Sequence, residues 1–118
     1  MADSPLIIKS KEFTLDVLQV CKELRVAKCE SELINQFLRS GTIIGANIRE
    51  SKYAHSKADV VAKLQISLKE CYETEYWIEI AQKANIISEE IAKSVLHDCG
   101  AIRRMLIASI NTAKENAK

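Results

Sequence analysis

Glu70, Glu73 and Glu75 crowd into six consecutive residues near the middle of the chain. Carboxylates so close together can divide into a general acid and a general base when neighbours push their protonation apart. The same region offers Arg39, Arg49, Lys63 and Lys69. A half-buried carboxylate demands a cation of this kind, so structural ion pairing is the preferred reading. An enzyme working through Glu70 and Glu73 is the alternative. The other reactive side chains offer less. The two histidines, His55 and His97, are each preceded three residues earlier by Lys52 and Ser94. The Glu-x-x-His pattern of di-iron bundles is therefore absent, and no metal or cofactor is expected. A cysteine or serine nucleophile needs an adjacent base, and neither histidine falls on an apolar face where it would meet one. Cys21, Cys29, Cys71 and Cys99 form no C-x-x-C pair. Three of them, Cys21, Cys71 and Cys99, sit at apolar helical positions and read as buried free thiols, which fits a reducing compartment. The chain is read as non-enzymatic.

Charge is segregated along the sequence, although the formal net charge is only +1. From Arg39 to Lys69 there are six bases and two acids; from Glu70 to Asp98 there are seven acids and two bases. Such asymmetry can build complementary surfaces between subunits or a basic rim for nucleic acid. Arg39, Arg49, Lys52, Lys57 and Lys63 are the candidate phosphate contacts, with Tyr53, Tyr72 and Tyr76 as stacking platforms. No recognised RNA- or DNA-binding module is spelled out.

These side chains must be positioned by helices. One proline and three glycines in 118 residues leave little material for tight turns, and aliphatic residues dominate the 47% apolar content. That argues for one all-α domain. No apolar run approaches the roughly 20 residues that span a bilayer. Met1-Ala-Asp-Ser-Pro5 lacks the pattern of a secretory leader, so a cytoplasmic location is expected. Periodicity predicts helices over about 10–27, 31–54, 56–84 and 88–114, with Ser31, Ser56 and Ser88 as N-caps. Short links make successive helices antiparallel neighbours, an up-down-up-down four-helix bundle.

The second and third helices carry the least ordinary features. Gly41 and Gly45 lie one turn apart in the middle of a core-facing stripe, where each glycine costs roughly 1 kcal/mol relative to alanine. Close approach of another helix offsets that cost, by the steric logic of small-xxx-small packing. Gln36, Ser40, Ile43, Asn47 and Glu50 are assigned to the opposite, polar face, with Ile43 as its apolar exception. The third helix, about 40 Å long, carries two apolar stripes. Val60, Val61, Leu64, Leu68, Cys71 and Ile78 form one. Ile66, Trp77, Ile80, Ala81 and Ala84 form the other, placed nearly opposite. A bundle helix needs only one, so the second predicts self-association. Ile43, Asn47, Ile66, Glu70, Glu73, Trp77 and Ile80 are the expected interface residues.

The block from Leu38 to Glu50, LRSGTIIGANIRE, is followed by Ser56-Lys-Ala-Asp59, Lys63-Leu-Gln-Ile-Ser-Leu-Lys-Glu70 and Glu73-Thr-Glu-Tyr-Trp77. Together these resemble a bacterial four-helix-bundle family that includes proteins encoded by intervening sequences in 23S ribosomal RNA genes. The usual pattern favours serine where this chain has Ile43. The resemblance implies an antiparallel bundle assembled into a ring-like homo-oligomer, with a pentamer as the implied count, and no settled activity. The family is similar in turn to accessory proteins of diversity-generating retroelements, which implies RNA or DNA as a partner.

Overall fold

The computed structural model describes residues 3–116, which fold as four helices. They are α1 (Pro5–Val26), α2 (Ser31–Ser51), α3 (Lys57–Lys83) and α4 (Glu89–Asn116). Met1 and Ala2, on which part of the leader reading rests, lie outside the described residues. Each helix packs on its chain neighbours, and α4 closes against α1. The result is a rod of 48 × 23 × 22 Å. Registers run in opposite senses along neighbours. Gly41 meets Val17 while Gly45 meets Thr14, and Ser40 meets Thr74 while Ile44 meets Ser67. The core is aliphatic, with Val17, Leu24, Ile44, Ile102 and Leu106 fully enclosed around Phe13 and Phe37.

Helix α1 begins at Pro5, five residues before the expected start. The Ser4 side chain accepts from Ile7 N at 3.2 Å, and Pro5 stands in the first turn, where its missing N–H has no partner to lose. Leu6 and Ile7 are thereby drawn into the core. Ser31 is not the cap of α2. The helix is entered from Glu30 with no side-chain cap, and the Glu30 carbonyl accepts from Leu33 N and Ile34 N. Its last residue is Ser51 instead of Ala54. Ser56 caps α3 through Asp59 N at 3.1 Å, and the Ser88 hydroxyl accepts from Ile91 N at 3.2 Å.

Two of the three reversals are built alike. After α1, Lys28 takes φ 59°, Cys29 N bonds Leu24 O and Lys28 N bonds Arg25 O. After α3, Asn85 takes φ 58°, Ile86 N bonds Ala81 O and Asn85 N bonds Gln82 O. Both are Schellman reversals with a left-handed residue after the cap. Neither uses a glycine.

The glycines work inside α2 instead. A Cβ on Gly41 would lie 2.8 and 2.9 Å from the two methyls of Val17; one on Gly45 would lie 2.9 Å from Thr14 Oγ1 and 3.4 Å from the Ser10 carbonyl oxygen. The α1 and α2 backbones approach each other because nothing projects between them there.

Candidate functional site

At about 100° per residue, α2 turns Phe37, Ile44 and Ile48 to the core, its glycines towards α1, and Ser40 towards α3. The same rotation on α3 puts Leu64, Cys71 and Ile78 inward and Glu70, Trp77 and Ala81 on the α2 side. Two assignments from the sequence are therefore corrected. Ser40 is wholly buried and does not lie on an outer face. Ala81 is also wholly buried, and Trp77 packs against the core. Within the second stripe of α3, Ala81 and Trp77 thus turn towards the core, while Ile66 and Ala84 keep the outward position expected. What stays outside is narrower: Ile66, 42% exposed, with half-buried Ile43 and Asn47 across on α2, and half-buried Ile80 about four turns farther along α3. Asn47 Nδ2 donates to the Ile43 carbonyl at 3.2 Å.

The α2–α3 seam is polar all along its length. Arg39 Nη1 donates to Glu70 Oε2 at 3.4 Å, Arg39 Nη2 donates to Glu73 Oε2, and Arg39 Nε donates to Gln36 at 3.3 Å. Trp77 Nε1 donates to the same Glu73 oxygen at 3.3 Å, with the Tyr76 ring edge-on at 5.0 Å. Deeper in, the Thr74 hydroxyl lies 2.9 Å from Ser40 Oγ and 2.8 Å from the Glu70 carbonyl; further along, Ser67 Oγ donates to the Ile44 carbonyl at 2.8 Å. Among the described residues no buried side-chain polar atom is left without a partner. Glu75, the third carboxylate, points to the other side of α3 and accepts from Arg103 Nε at 2.8 Å. That contact holds the Arg103 guanidinium above its ordinary range. The three glutamates do not converge on one pocket.

Nor do the five cations form one patch. Arg39 is committed to Glu70 and Glu73. Lys52 pairs with Asp3 at 3.0 Å and holds the Asp3 carboxyl below its usual range. Lys57 Nζ donates to the Asn116 carbonyl at 2.7 Å. Arg49 lines a groove between α1 and α2, and Lys63 is half-buried on α3.

That groove is the feature the sequence reading missed. It encloses about 800 Å³, with Ile7, Thr14, Leu15, Ala46, Arg49 and Tyr53 among its walls and Gly45 at its floor. Beside it runs an apolar stripe on the outside of α1: Ile8, Leu15 and Leu18 are 49%, 67% and 44% exposed. Tyr53 adds a ring 64% exposed. The signal is in the sequence, since Ile8, Leu15 and Leu18 recur at helical spacing. It is masked by the stronger core stripe of the same helix and by the interleaved Lys11 and Lys22.

All four cysteines are free thiols, with Cys21, Cys71 and Cys99 buried and Cys29 half-buried. Cys99 Sγ lies 3.5 Å from the Cys71 carbonyl oxygen. The Cys99 thiol is pushed well up, first by hydrogen bonding with Cys71 and then by burial; burial also raises Cys21 and Cys29. Only the thiolate attacks a disulfide reagent. Cys29 is therefore expected to react alone in the native protein, slowly at neutral pH and faster in alkali, while denaturant releases the other three. Two or more rapid native thiols would contradict the burial of Cys21, Cys71 and Cys99. The raised thiols also set a sign for stability. Their contribution is complete below the ordinary thiol range and fades as pH rises, because the unfolded chain ionises first.

Among the described residues no helix is long and apolar enough to cross a membrane, and no three metal-binding side chains converge. The family model for 23S rRNA-intervening sequence proteins matches residues 3–108. The chain is 42% identical to a protein of unknown function from the S23 ribosomal protein family of Bacteroides thetaiotaomicron. The match covers 89% of this chain and 97% of that one, with a TM-score of 0.86. No curated protein matches. With a glycine-packed α1–α2 pair, a polar α2–α3 seam and a family match over nearly the whole length, this chain belongs to the 23S rRNA-intervening sequence proteins.

Proposed function

We propose that this chain is a non-enzymatic, self-associating bundle of the cytoplasm whose working form is a homo-oligomer. The observation that carries the reading is the apolar surface left outside a core that is already complete. Ile8, Leu15 and Leu18 are exposed on α1 at helical spacing, and Ile66 is exposed on α3. Scattered exposed apolar residues need no explanation, but contiguous stripes mark contact sites. The polar seam supports the non-enzymatic half of the reading. Glu70, Glu73 and Glu75 are each taken up by an arginine of the same chain, which is what structural carboxylates do.

A nucleic-acid role is the weaker alternative. Three of its five candidate cations are engaged within the chain, by Asp3, by Glu70 with Glu73, and by the end of α4. Sedimentation equilibrium tests the leading reading. The wild-type protein is expected at an integral multiple of the chain mass greater than one, and a pentamer is the count the family resemblance implies. The double variant Leu15→Glu/Ile66→Glu, which spoils the α1 stripe and the exposed Ile66 and replaces no core residue, is expected at the mass of one chain. A wild-type protein that sediments as a single copy at every concentration overturns the proposal.

A further inference from the structure

Arg103 and Arg104 are neighbours on α4, and both side chains fold back along the helix, as long helical side chains do. They meet over Gly100, three and four residues earlier. The point where a Gly100 Cβ would stand is 3.4 Å from Arg103 Nη2 and 3.4 Å from Arg104 Nη1. The two guanidinium tips are therefore no further apart than twice that distance, and Gly100 raises no side chain between them. Arg103 is held from the α3 side. Glu75 accepts its Nε–H at 2.8 Å, and its guanidinium carbon lies 5.6 Å from the centre of the Tyr72 ring. The Glu75 contact uses the Nε edge, which leaves the Nη protons to another acceptor.

Charge at this spot is not balanced within the chain. Glu75 compensates one of the two guanidiniums. Among the described residues Arg104 has no carboxylate within ion-pair distance. Lys69, exposed one turn before Tyr72, adds a third base on the outer side of α3. The next carboxylate on that side, Glu79, stands two turns beyond Tyr72. Like charges brought this close repel, and a bound anion relieves them.

We infer that Arg103, Arg104 and Tyr72 bind a nucleotide unit, with its phosphate on the two guanidiniums and its base against the tyrosine ring. A phosphate presents several oxygens to the fork of a guanidinium, so one group can serve both arginines, where a lone carboxylate serves one. The ring supplies the second half of the recognition. Tyr72 is exposed, so it is open to a further planar group, and a base stacks on tyrosine whatever its sequence. Arg103 is already fixed by Glu75 and Tyr72, so little side-chain freedom is lost on binding. None of the five cations singled out in the sequence takes part, while Tyr72 is one of the rings expected to stack. The site does not rest on the self-association proposed above. Ile66 lies on the α2 side of α3, whereas Tyr72 and Glu75 lie on its α4 side.

Titration with adenosine monophosphate at low salt, followed in nitrogen–proton correlation spectra of the wild-type protein, tests the inference. Saturable shifts are expected at the Gly100 amide and at the Nε–H of Arg103 and Arg104, with weaker binding of inorganic phosphate alone. Arg104→Gln is expected to weaken adenosine monophosphate about tenfold by removing a charged donor. Tyr72→Leu is expected to weaken it about tenfold by removing the stacking ring. Both positions are exposed, so both variants are expected to fold and to keep the sedimentation mass of the wild type. A short oligothymidylate separates the two sources of a nucleotide. Tighter binding than the monomer assigns the site to a strand, and equal or weaker binding assigns it to a free nucleotide. Absence of shifts at Gly100 and Arg104, equal affinity for adenosine monophosphate and inorganic phosphate, or either variant binding like the wild type overturns the inference. Those readings are independent of the oligomeric state, so a single-copy wild type removes the self-association and leaves this site to be judged by its own titration.

Discussion

Arg39→Leu is expected to lower the unfolding free energy by roughly 2–3 kcal/mol, measured by urea denaturation followed by circular dichroism. The loss comes from Glu70, whose side chain is only 9% exposed and would be left charged on the α2–α3 seam without its cation. Stranding one member of a fully buried pair costs roughly 3–5 kcal/mol. Arg39 is 43% exposed, so water already screens part of the pair and the figure is scaled down. The converse variant is expected to be milder. Glu70→Leu leaves Arg39 with Glu73, Gln36 and solvent, and should cost about 1 kcal/mol. Removing both charges together, Arg39→Leu with Glu70→Leu, is expected to recover most of the first loss, since the uncompensated charge is then gone. A double variant as unstable as the sum of the singles would show that Arg39 matters through its stem packing and not its charge.

The glycines give the second large effect, and its sign differs between positions. Gly41→Ala gains about 1 kcal/mol of helix propensity. Against that, its methyl would sit 2.8–2.9 Å from both γ-carbons of a fully buried Val17, so no single rotation of that valine clears it. Overpacking of this kind costs roughly 1–3 kcal/mol, and a larger side chain costs more. Net destabilisation is expected for Gly41→Ala, and loss of the native bundle for Gly41→Leu. Gly100→Ala is the control. There the new methyl meets only the guanidinium tips of Arg103 and Arg104 at 3.4 Å, an ordinary contact distance; Arg104 can swing aside, and Arg103, held at Nε by Glu75, need hardly move. That variant is expected to be more stable than wild type by about 0.5–1 kcal/mol. If Val17→Ala restores Gly41→Ala, the close approach of α1 and α2 is the cause.

The four helices were legible in the sequence because their apolar stripes are long and regular, and Ser56 and Ser88 carry plain cap chemistry. The start of α1 was legible in principle. Ser4 before Pro5 is a start signal, but Leu6 and Ile7 add too little periodicity to extend a stripe that begins convincingly at Phe13. The polar seam was hidden for a different reason. Reading hydrophobicity alone sends Ser40, Ser67 and Thr74 to the surface, whereas in the bundle each hydroxyl finds a carbonyl one turn back or across the seam and is buried at little cost. Trp77 misled in the same way. A large apolar residue beside Glu73 suggests an outward stripe, yet its indole lies along the core edge with its N–H on that carboxylate. The pairing of Arg39 with Glu70 and Glu73 was accessible from charge and register; the α1–α2 groove was not, because it exists only where two helices close on a glycine.

The two Schellman reversals lie at one pole of the rod, and at the other pole Asp3 reaches Lys52 while Asn116 reaches Lys57. The link from α2 to α3 is therefore bracketed by the beginning of α1 and the end of α4. The molecule amounts to two similar hairpins laid side by side, and packing does not dictate which is written first. A circularly permuted gene, opened within residues 52–56 and joined across the Asp3 and Asn116 pole, would encode the same solid.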